Sequence, residues 1–168
     1  DQVIEKLKEI DYSGSYTEKK VAYYFITNAK YELCFVYGMK GKNSLAYQIG
    51  KEISGAIDTF DESYFPLQYK YDSKNYSIKY SNFSPTQSEF YTGMSEICYN
   101  LSYYEQSVVY AKKSLKSPDI TAWYKYIALS KIISTKKKLN QYDTEFLDYA
   151  LQFFDNYTKL ESSYFAKF

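Results

Sequence analysis

The sequence predicts an all-α domain built from about three antiparallel helix hairpins. Two observations predict this class. Apolar residues recur at helical spacing through long segments, and short runs rich in Gly, Ser and Pro separate these segments. One seven-residue pattern also occurs twice, 64 positions apart, where each copy is expected to end a helix. Because 168 residues can bury a sizeable core, residues 1–168 are expected to form a single domain.

The first hairpin is predicted over about residues 15–60, after a short helix near residues 3–10. The segment Ser15–Glu18 has the form of a capping box, so a long helix should begin there and end near Tyr37. Two glycines within the next four residues favour a turn. The second helix of the pair should bury an apolar stripe. Its members are Leu45, Ile49, Ile53, Ile57 and Phe60.

The second and third hairpins are predicted over about residues 84–117 and 119–160. Ser84 is expected to be the N-cap of the second hairpin, with Pro85 at the first helical position. A further Pro at position 118 should end this hairpin and start the next, because Pro cannot continue a helix but suits a first turn. The lysines at 136–138 are predicted to form a solvated turn between the last two helices, and the alternative is a basic loop that meets phosphate or an acidic partner.

A Tyr-rich insertion is predicted between the first two hairpins, at about residues 61–83. Tyr alternates there with Lys and Ser, and this period of two favours a short β-hairpin. A plain loop accounts for the same composition, so both structures stay open.

The composition argues against several classes of function. The chain has 21 basic and 20 acidic residues and a formal charge of +1, so it has no overall field to attract nucleic acid. It has no His, which is the commonest general base and metal ligand. The chain has no run of about 20 apolar residues, the length that a membrane-spanning helix needs. We therefore expect no nucleic-acid partner, no transmembrane segment, no metal or cofactor, and no enzymatic activity.

Two pairs of reactive residue types recur 64 positions apart. Glu32 and Glu96 could suggest acid–base catalysis or a metal site, but solvated or salt-bridged residues of a peptide groove are the simpler interpretation. Cys34 and Cys98 lie among apolar residues toward helix C-termini, where the helix dipole disfavours a thiolate. We expect both thiols to be inert residues of the core.

The repeated pattern spans Glu32–Gly38 and Glu96–Ser102. Self-similar helix pairs with a period of roughly 34 residues are typical of tetratricopeptide repeats (TPRs). The clearest unit begins at Tyr91, where that family prefers Trp, continues through Met94-Ser95, where it prefers Leu-Gly, and closes at Pro118, where it prefers Pro. The chain thus resembles a TPR protein with degenerate repeats over about residues 18–160.

The resemblance implies a short right-handed superhelix whose concave face, lined by the first helix of each pair, holds a protein or peptide ligand. The family's groove-facing positions fall on nine residues of this chain: Asn28, Glu32, Phe35, Glu89, Thr92, Glu96, Tyr99, Asn100 and Lys125. In the third unit the register allows Tyr124 in place of Lys125. Phe35 and Tyr99 would be aromatic anchors, and the carboxylates would favour basic or amide-rich peptides.

Two other functions remain open beside peptide binding. With 23 Tyr and 11 Phe, the chain could be a small-molecule sensor or carrier whose aromatic pocket is closed by the 61–83 insertion. It could also be a structural subunit of a larger assembly, with exposed aromatic residues as contacts. The first residue is Asp1 rather than Met, so the cytoplasm and, if a leader has been removed, an extracytoplasmic space such as the periplasm both remain open.

Overall fold

The computed structural model describes residues 16–59 and 86–165. Within these ranges the structure consists of α-helices and short turns, with no β-strand, which confirms the predicted all-α class. The predicted helix near residues 3–10 and the predicted insertion at 61–83 lie outside the described residues. The helices are α1 (Tyr16–Met39), α2 (Asn43–Asp58), α3 (Gln87–Asn100), α4 (Tyr104–Leu115), α5 (Ala122–Lys138) and α6 (Thr144–Phe165).

The helices pack as consecutive pairs. Helix α1 packs on α2, α3 on α4, and α5 on α6. Turns of only a few residues join the partners of each pair, so each pair is an antiparallel hairpin. Helix α2 also packs on α3 and α4 on α5, while α3 contacts both α1 and α5. The first helices of the three pairs are therefore neighbours in the order α1, α3, α5.

The first helix of every pair ends in the same backbone motif. A residue with positive φ follows each helix: Gly41 (φ 71°), Ser102 (φ 61°) and Asn140 (φ 54°). In the middle pair, the Ser102 amide donates to Tyr99 O at 3.0 Å and the Tyr103 amide to Cys98 O at 2.8 Å. The equivalent bonds recur after α1 and α5. These are Schellman motifs, which satisfy the last carbonyl groups of a helix and reverse the chain tightly.

The main apolar core lies where α1, α2 and α3 meet. The predicted α2 stripe is largely confirmed, because Ile49, Ile53 and Ile57 are buried; Phe60 lies outside the described residues. They pack with these buried side chains of α1 and α3: Tyr31, Cys34, Phe90, Tyr91, Met94 and Ile97. A smaller apolar cluster of Ala111, Ala128 and Ile132 joins α4 to α5.

Small hydroxyl residues form the contact between α3 and α4. Ser95 Oγ donates to Ser107 O at 2.8 Å, and Ser107 Oγ donates back to Ser95 O at 2.8 Å. Two helical turns away, Ser114 Oγ donates to Ser88 O at 2.9 Å. All four residues are fully buried. The two helix backbones approach closely because these side chains are small, and their hydrogen bonds offset the burial of the hydroxyl groups.

Two predicted helix ends need correction. The N-cap of α3 is Thr86 and not Ser84, because the Thr86 side chain accepts a hydrogen bond from the Glu89 amide at 3.4 Å. The three lysines predicted to form a turn instead belong to the last turn of α5, which ends at Lys138. Lys136 is buried between the carboxylates of Asp143 and Glu145, which pair with its ammonium at 3.0 and 2.9 Å. A buried lysine in a helix can be satisfied in this way, so the run of lysines did not mark a loop.

Candidate functional site

Most of the nine predicted ligand contacts lie on α1 and α3, and α5 completes the same side of the molecule. In α1, Asn28, Glu32 and Phe35 are spaced by one helical turn, so they share one side of the helix. In α3, Glu96 and Asn100 have the same spacing. We call this surface the α1–α3–α5 face. It comprises Asn28, Tyr31, Glu32, Phe35, Glu89, Glu96, Tyr99, Asn100, Tyr124 and Lys131.

Glu89 connects all three helices of this face. The hydroxyl groups of Tyr31 on α1 and Tyr124 on α5 both interact with its carboxylate. Burial, followed by the interaction with Glu89, raises the pKa of Tyr31 well above its usual value and that of Tyr124 to about 12. Both phenols therefore stay protonated as donors. The Glu89 carboxylate is engaged within the protein, which orders the face and leaves less of it to a ligand.

Glu96 and Tyr99 are held together by a lysine of α5. The Lys131 ammonium forms a salt bridge with Glu96 and lies 4.2 Å from the centroid of the Tyr99 ring. This cation–π contact and the ion pair fix the Tyr99 side chain, whose ring also meets Tyr104 at a centroid distance of 5.6 Å. Lys131 was not among the predicted contacts, although its position shortly before the lysine run was a visible signal in the sequence.

Phe35 reaches from α1 onto α3. Its ring centroid lies 4.8 Å from that of Tyr31. A Cβ atom placed on Gly93 would come within 2.8 Å of the Phe35 ring, so the ring fits over α3 only because position 93 carries no side chain. Phe35 is half-buried and packs against the main core. It is therefore fixed in position and still partly accessible.

The polar residues of the face differ in accessibility. Glu32 and Asn100 are exposed. Asn28 is half-buried, and within the described part of the chain its Oδ1 atom is buried without a hydrogen-bond partner. Glu32 and Asn100 can contact a ligand without any change in the protein, whereas Asn28 would have to turn outward first.

One predicted contact, Thr92, does not join the others. Thr92 is buried, and its Oγ1 atom lies 2.7 Å from Ser88 O and 2.8 Å from Ser114 Oγ, so its hydroxyl faces α4. In α5, Tyr124 rather than Lys125 contacts Glu89. Tyr124 is the residue that the alternative register places on this face, and Lys131 lies two turns further along α5. Thr92 is not part of the α1–α3–α5 face, and Lys125 stays a prediction.

An open pocket adjoins this face at the C-terminal ends of α3 and α5. Its volume is about 380 Å³, and it is lined by Tyr99, Ser134, Lys137, Lys138 and Tyr142. We call it the Tyr99 pocket. Lys137 and Lys138 are exposed. Two ammonium groups, three hydroxyl groups and two aromatic rings therefore surround a space that a side chain or small group can enter.

The two thiols lie away from this face in the packed interior. Cys34 is 2% exposed and Cys98 is completely buried, which confirms the predicted core positions. Burial raises the pKa of each thiol to about 12. At neutral pH both are protonated and poorly nucleophilic.

No group of three or more Cys, Asp or Glu side chains is placed to hold a metal ion in residues 16–59 and 86–165. None of the described helices combines the length and the apolar character that crossing a membrane requires. No protein-family model, curated protein or solved structure matches the chain.

Proposed function

We propose that the protein is a non-enzymatic interaction module, a short TPR-like superhelix that holds a peptide or a segment of a partner protein on the α1–α3–α5 face. Three features support a repeat architecture: consecutive hairpins, a first helix of each hairpin that neighbours the next, and the same Schellman motif after each first helix. A face made from equivalent helices of successive repeats is the surface on which such proteins commonly bind ligands.

The observation that carries the proposal is a pair of aromatic rings that are fixed but still accessible. Phe35 is held by Tyr31 and the gap over Gly93, and Tyr99 is held by Lys131 and Tyr104. Rings that are already ordered lose little conformational entropy when a ligand covers them. Glu32 lies one turn before Phe35, and Asn100 directly follows Tyr99. Both side chains are exposed and can fix the register of a ligand by hydrogen bonds.

A binding role without catalysis also agrees with the state of the reactive groups. The thiols of Cys34 and Cys98 are buried and protonated, and the carboxylates of Glu89 and Glu96 are engaged by tyrosine hydroxyls and by Lys131. Such groups stabilise the face rather than attack a substrate. We therefore assign Glu89 and Glu96 the role of positioning the rings and helices of the face.

The proposal can be tested with peptides selected on the immobilised protein from a random library. A Glu32→Arg/Asn100→Arg variant places bulk and charge on the face at two exposed positions, so it should fold normally. A Glu105→Arg/Gln106→Arg variant makes the same change of charge at exposed positions of α4. Circular dichroism verifies the helicity of both variants.

We expect the selected peptides to bind the Glu32/Asn100 variant at least about tenfold more weakly than the wild type, because exposed contacts of the face are replaced by clashes. The Glu105/Gln106 control should retain full affinity. Equal affinity of all three proteins would place the ligand elsewhere, and failure to select any peptide would argue against a peptide-binding module.

A second candidate function, a subunit of a larger assembly, is favoured by one observation. Leu147, Leu151 and Phe154 are spaced by one helical turn along α6, and each is at least 58% exposed. An apolar stripe of this kind is typical of a contact surface. Sedimentation equilibrium of the wild type and a Leu151→Glu variant tests the idea. A mass that rises with concentration only in the wild type supports self-assembly, and a monomeric wild type contradicts it.

A further inference from the structure

The Tyr99 pocket differs in charge from the rest of the α1–α3–α5 face. Three carboxylates that lie close in sequence to its lining residues Tyr99 and Tyr142 are already paired with another lysine. Glu96 pairs with Lys131, and the carboxylates of Asp143 and Glu145 pair with Lys136. Glu145 also accepts a hydrogen bond from Lys112 at 2.5 Å.

The two lysines of the pocket keep their positive charge without a neighbouring carboxylate to neutralise it within the described residues. No carboxylate among residues 16–59 and 86–165 forms an ion pair with Lys137 or Lys138. Both side chains are exposed and line the same pocket. Two neighbouring ammonium groups attract an anion more strongly than one, and their positive field is not cancelled by the protein.

The remaining walls of the pocket are held in place. The Tyr99 ring is fixed by Lys131 at 4.2 Å, and the Tyr142 ring lies against Phe146 at a centroid distance of 5.3 Å. Ser134 contributes a hydroxyl group from α5. The hydroxyl groups of the pocket can donate to an anionic oxygen, and the rings offer apolar contact to the carbon atoms that carry it.

We infer that the Tyr99 pocket is the subsite for an acidic side chain of the bound segment, held by Lys137 and Lys138. This inference rests on the proposed function, because the pocket shares Tyr99 with the face that carries the ligand. The sequence led us to expect a basic or amide-rich ligand, on the basis of Glu32, Glu96 and Asn100. The inference adds an acidic side chain to such a segment, because Glu96 is paired with Lys131 and the two lysines of the pocket are not.

The test uses fluorescein-labelled peptides of alternating Glu and Tyr, and matched peptides in which Gln or Lys replaces Glu. Binding is measured by fluorescence anisotropy to the wild type, to Lys137→Gln/Lys138→Gln and to a control, Lys116→Gln/Lys159→Gln. The control removes the same charge at two exposed positions, the C-cap residue of α4 and a residue of α6. Inorganic phosphate serves as a competitor, because a free anion shares the chemistry of a carboxylate.

We expect the Glu peptide to bind the wild type and the control equally, and to bind the pocket variant about tenfold more weakly with a smaller dependence on salt. Phosphate should compete only weakly, because it lacks the contacts that a peptide makes with the rings. The Gln and Lys peptides should bind more weakly than the Glu peptide.

Four outcomes overturn the inference. If the Gln or Lys peptide binds as tightly as the Glu peptide, and Glu32→Arg/Asn100→Arg abolishes that binding, the proposed function stands and the acidic subsite fails. If the Glu peptide binds the wild type and the pocket variant with equal affinity, the acidic subsite fails and the proposed function again stands. If phosphate displaces the Glu peptide completely at equal concentration, the pocket is a general anion site and not a peptide subsite. If no peptide binds and library selection also fails, the proposed function fails with it.

Discussion

A close contact between α2 and α3 depends on the absence of one side chain. A Cβ atom on Gly50 would lie 2.1 Å from Met94 Sδ and 3.3 Å from Cys34 Sγ. All three residues are buried, so a neighbour has little room to move. Gly55, one and a half turns further along α2, is exposed, and its Cβ would meet no atom within 4 Å. The two glycines of one helix therefore have opposite roles.

This difference predicts opposite effects of the same substitution. Gly50→Ala should destabilise the protein by about 1 kcal/mol or more, because overpacking the core outweighs the gain in helix propensity. Gly55→Ala should stabilise it by about 0.5–1 kcal/mol, since Ala loses less conformational entropy in a helix. Urea denaturation of both variants measures the two free energies of unfolding. A stabilising Gly50→Ala would show that α2 and α3 do not pack as described.

The buried thiols predict slow reactivity. Cys34 and Cys98 have pKa values raised to about 12 by burial, so neither thiolate is populated in the folded protein at neutral pH. We expect Ellman's reagent to react with neither thiol under native conditions and with both in denaturant. Fast reaction of one thiol in the native protein would contradict its core position.

The junction of α5 and α6 is held by ion pairs around one buried lysine. Asp143 accepts a hydrogen bond from the Phe146 amide at 2.8 Å, which caps α6, and also pairs with Lys136. Hydrogen bonds from Lys136 and the Phe146 amide lower the pKa of Asp143, and those from Lys112 and Lys136 lower the pKa of Glu145. Bonds to Glu145 and Asp143 raise the pKa of Lys136, against the effect of its burial.

The lowered pKa values predict a loss of stability in acid. A carboxylate whose pKa is lower in the folded state stabilises it above its ordinary pKa, here 3.8 for Asp143 and 4.5 for Glu145. This contribution is lost as the pH falls below 4.5 and through the lower folded values. Thermal unfolding from neutral to acidic pH should therefore show a steeper fall for the wild type than for Glu145→Gln. An Asp148→Asn control on the same helix should behave like the wild type, and parallel curves for all three proteins would contradict the network.

Buried tyrosines predict a corresponding loss of stability in alkali. Burial raises the pKa of Tyr31, Tyr91, Tyr110 and Tyr124 above the ordinary value of 10.0. Groups of this kind stabilise the folded state fully below pH 10, and their contribution declines as the pH rises through the folded pKa, which is about 12 for Tyr110 and Tyr124.

Urea denaturation between pH 10 and pH 12 measures this decline. Tyr110→Phe removes one titrating group while keeping the ring that stacks on Tyr91 at 6.0 Å, so its stability should fall less steeply with pH than that of the wild type. An identical slope would show that Tyr110 ionises equally in both states.

Much of the fold could be predicted because local patterns and tertiary packing agree in this chain. The α2 stripe and the break near Gly41 marked real structure, and the seven-residue repeat placed Cys34 and Cys98 at equivalent buried positions. The failures arose where tertiary contacts override local preference. Lys136 looks like part of a solvated turn, yet two carboxylates from the following segment hold it inside a helix.

The site was harder to predict because partners on other helices decide which side chains are free. Spacing placed Glu89 and Glu96 correctly on α3, but only the structure shows that Tyr31, Tyr124 and Lys131 engage them. Thr92 has the same spacing and points instead toward α4. A family pattern names positions, whereas accessibility depends on the packed neighbours of this particular chain.

The central claim, that ligands bind the α1–α3–α5 face, is tested most directly by mapping amide chemical shifts when a library-selected peptide is added to isotope-labelled protein. The account predicts that the largest changes fall on α1, α3 and α5, at Glu32, Glu96, Tyr99 and Asn100, and extend to Lys137 and Lys138. Changes confined to α2, α4 and α6 would contradict it and would move the binding surface to the opposite side of the hairpins.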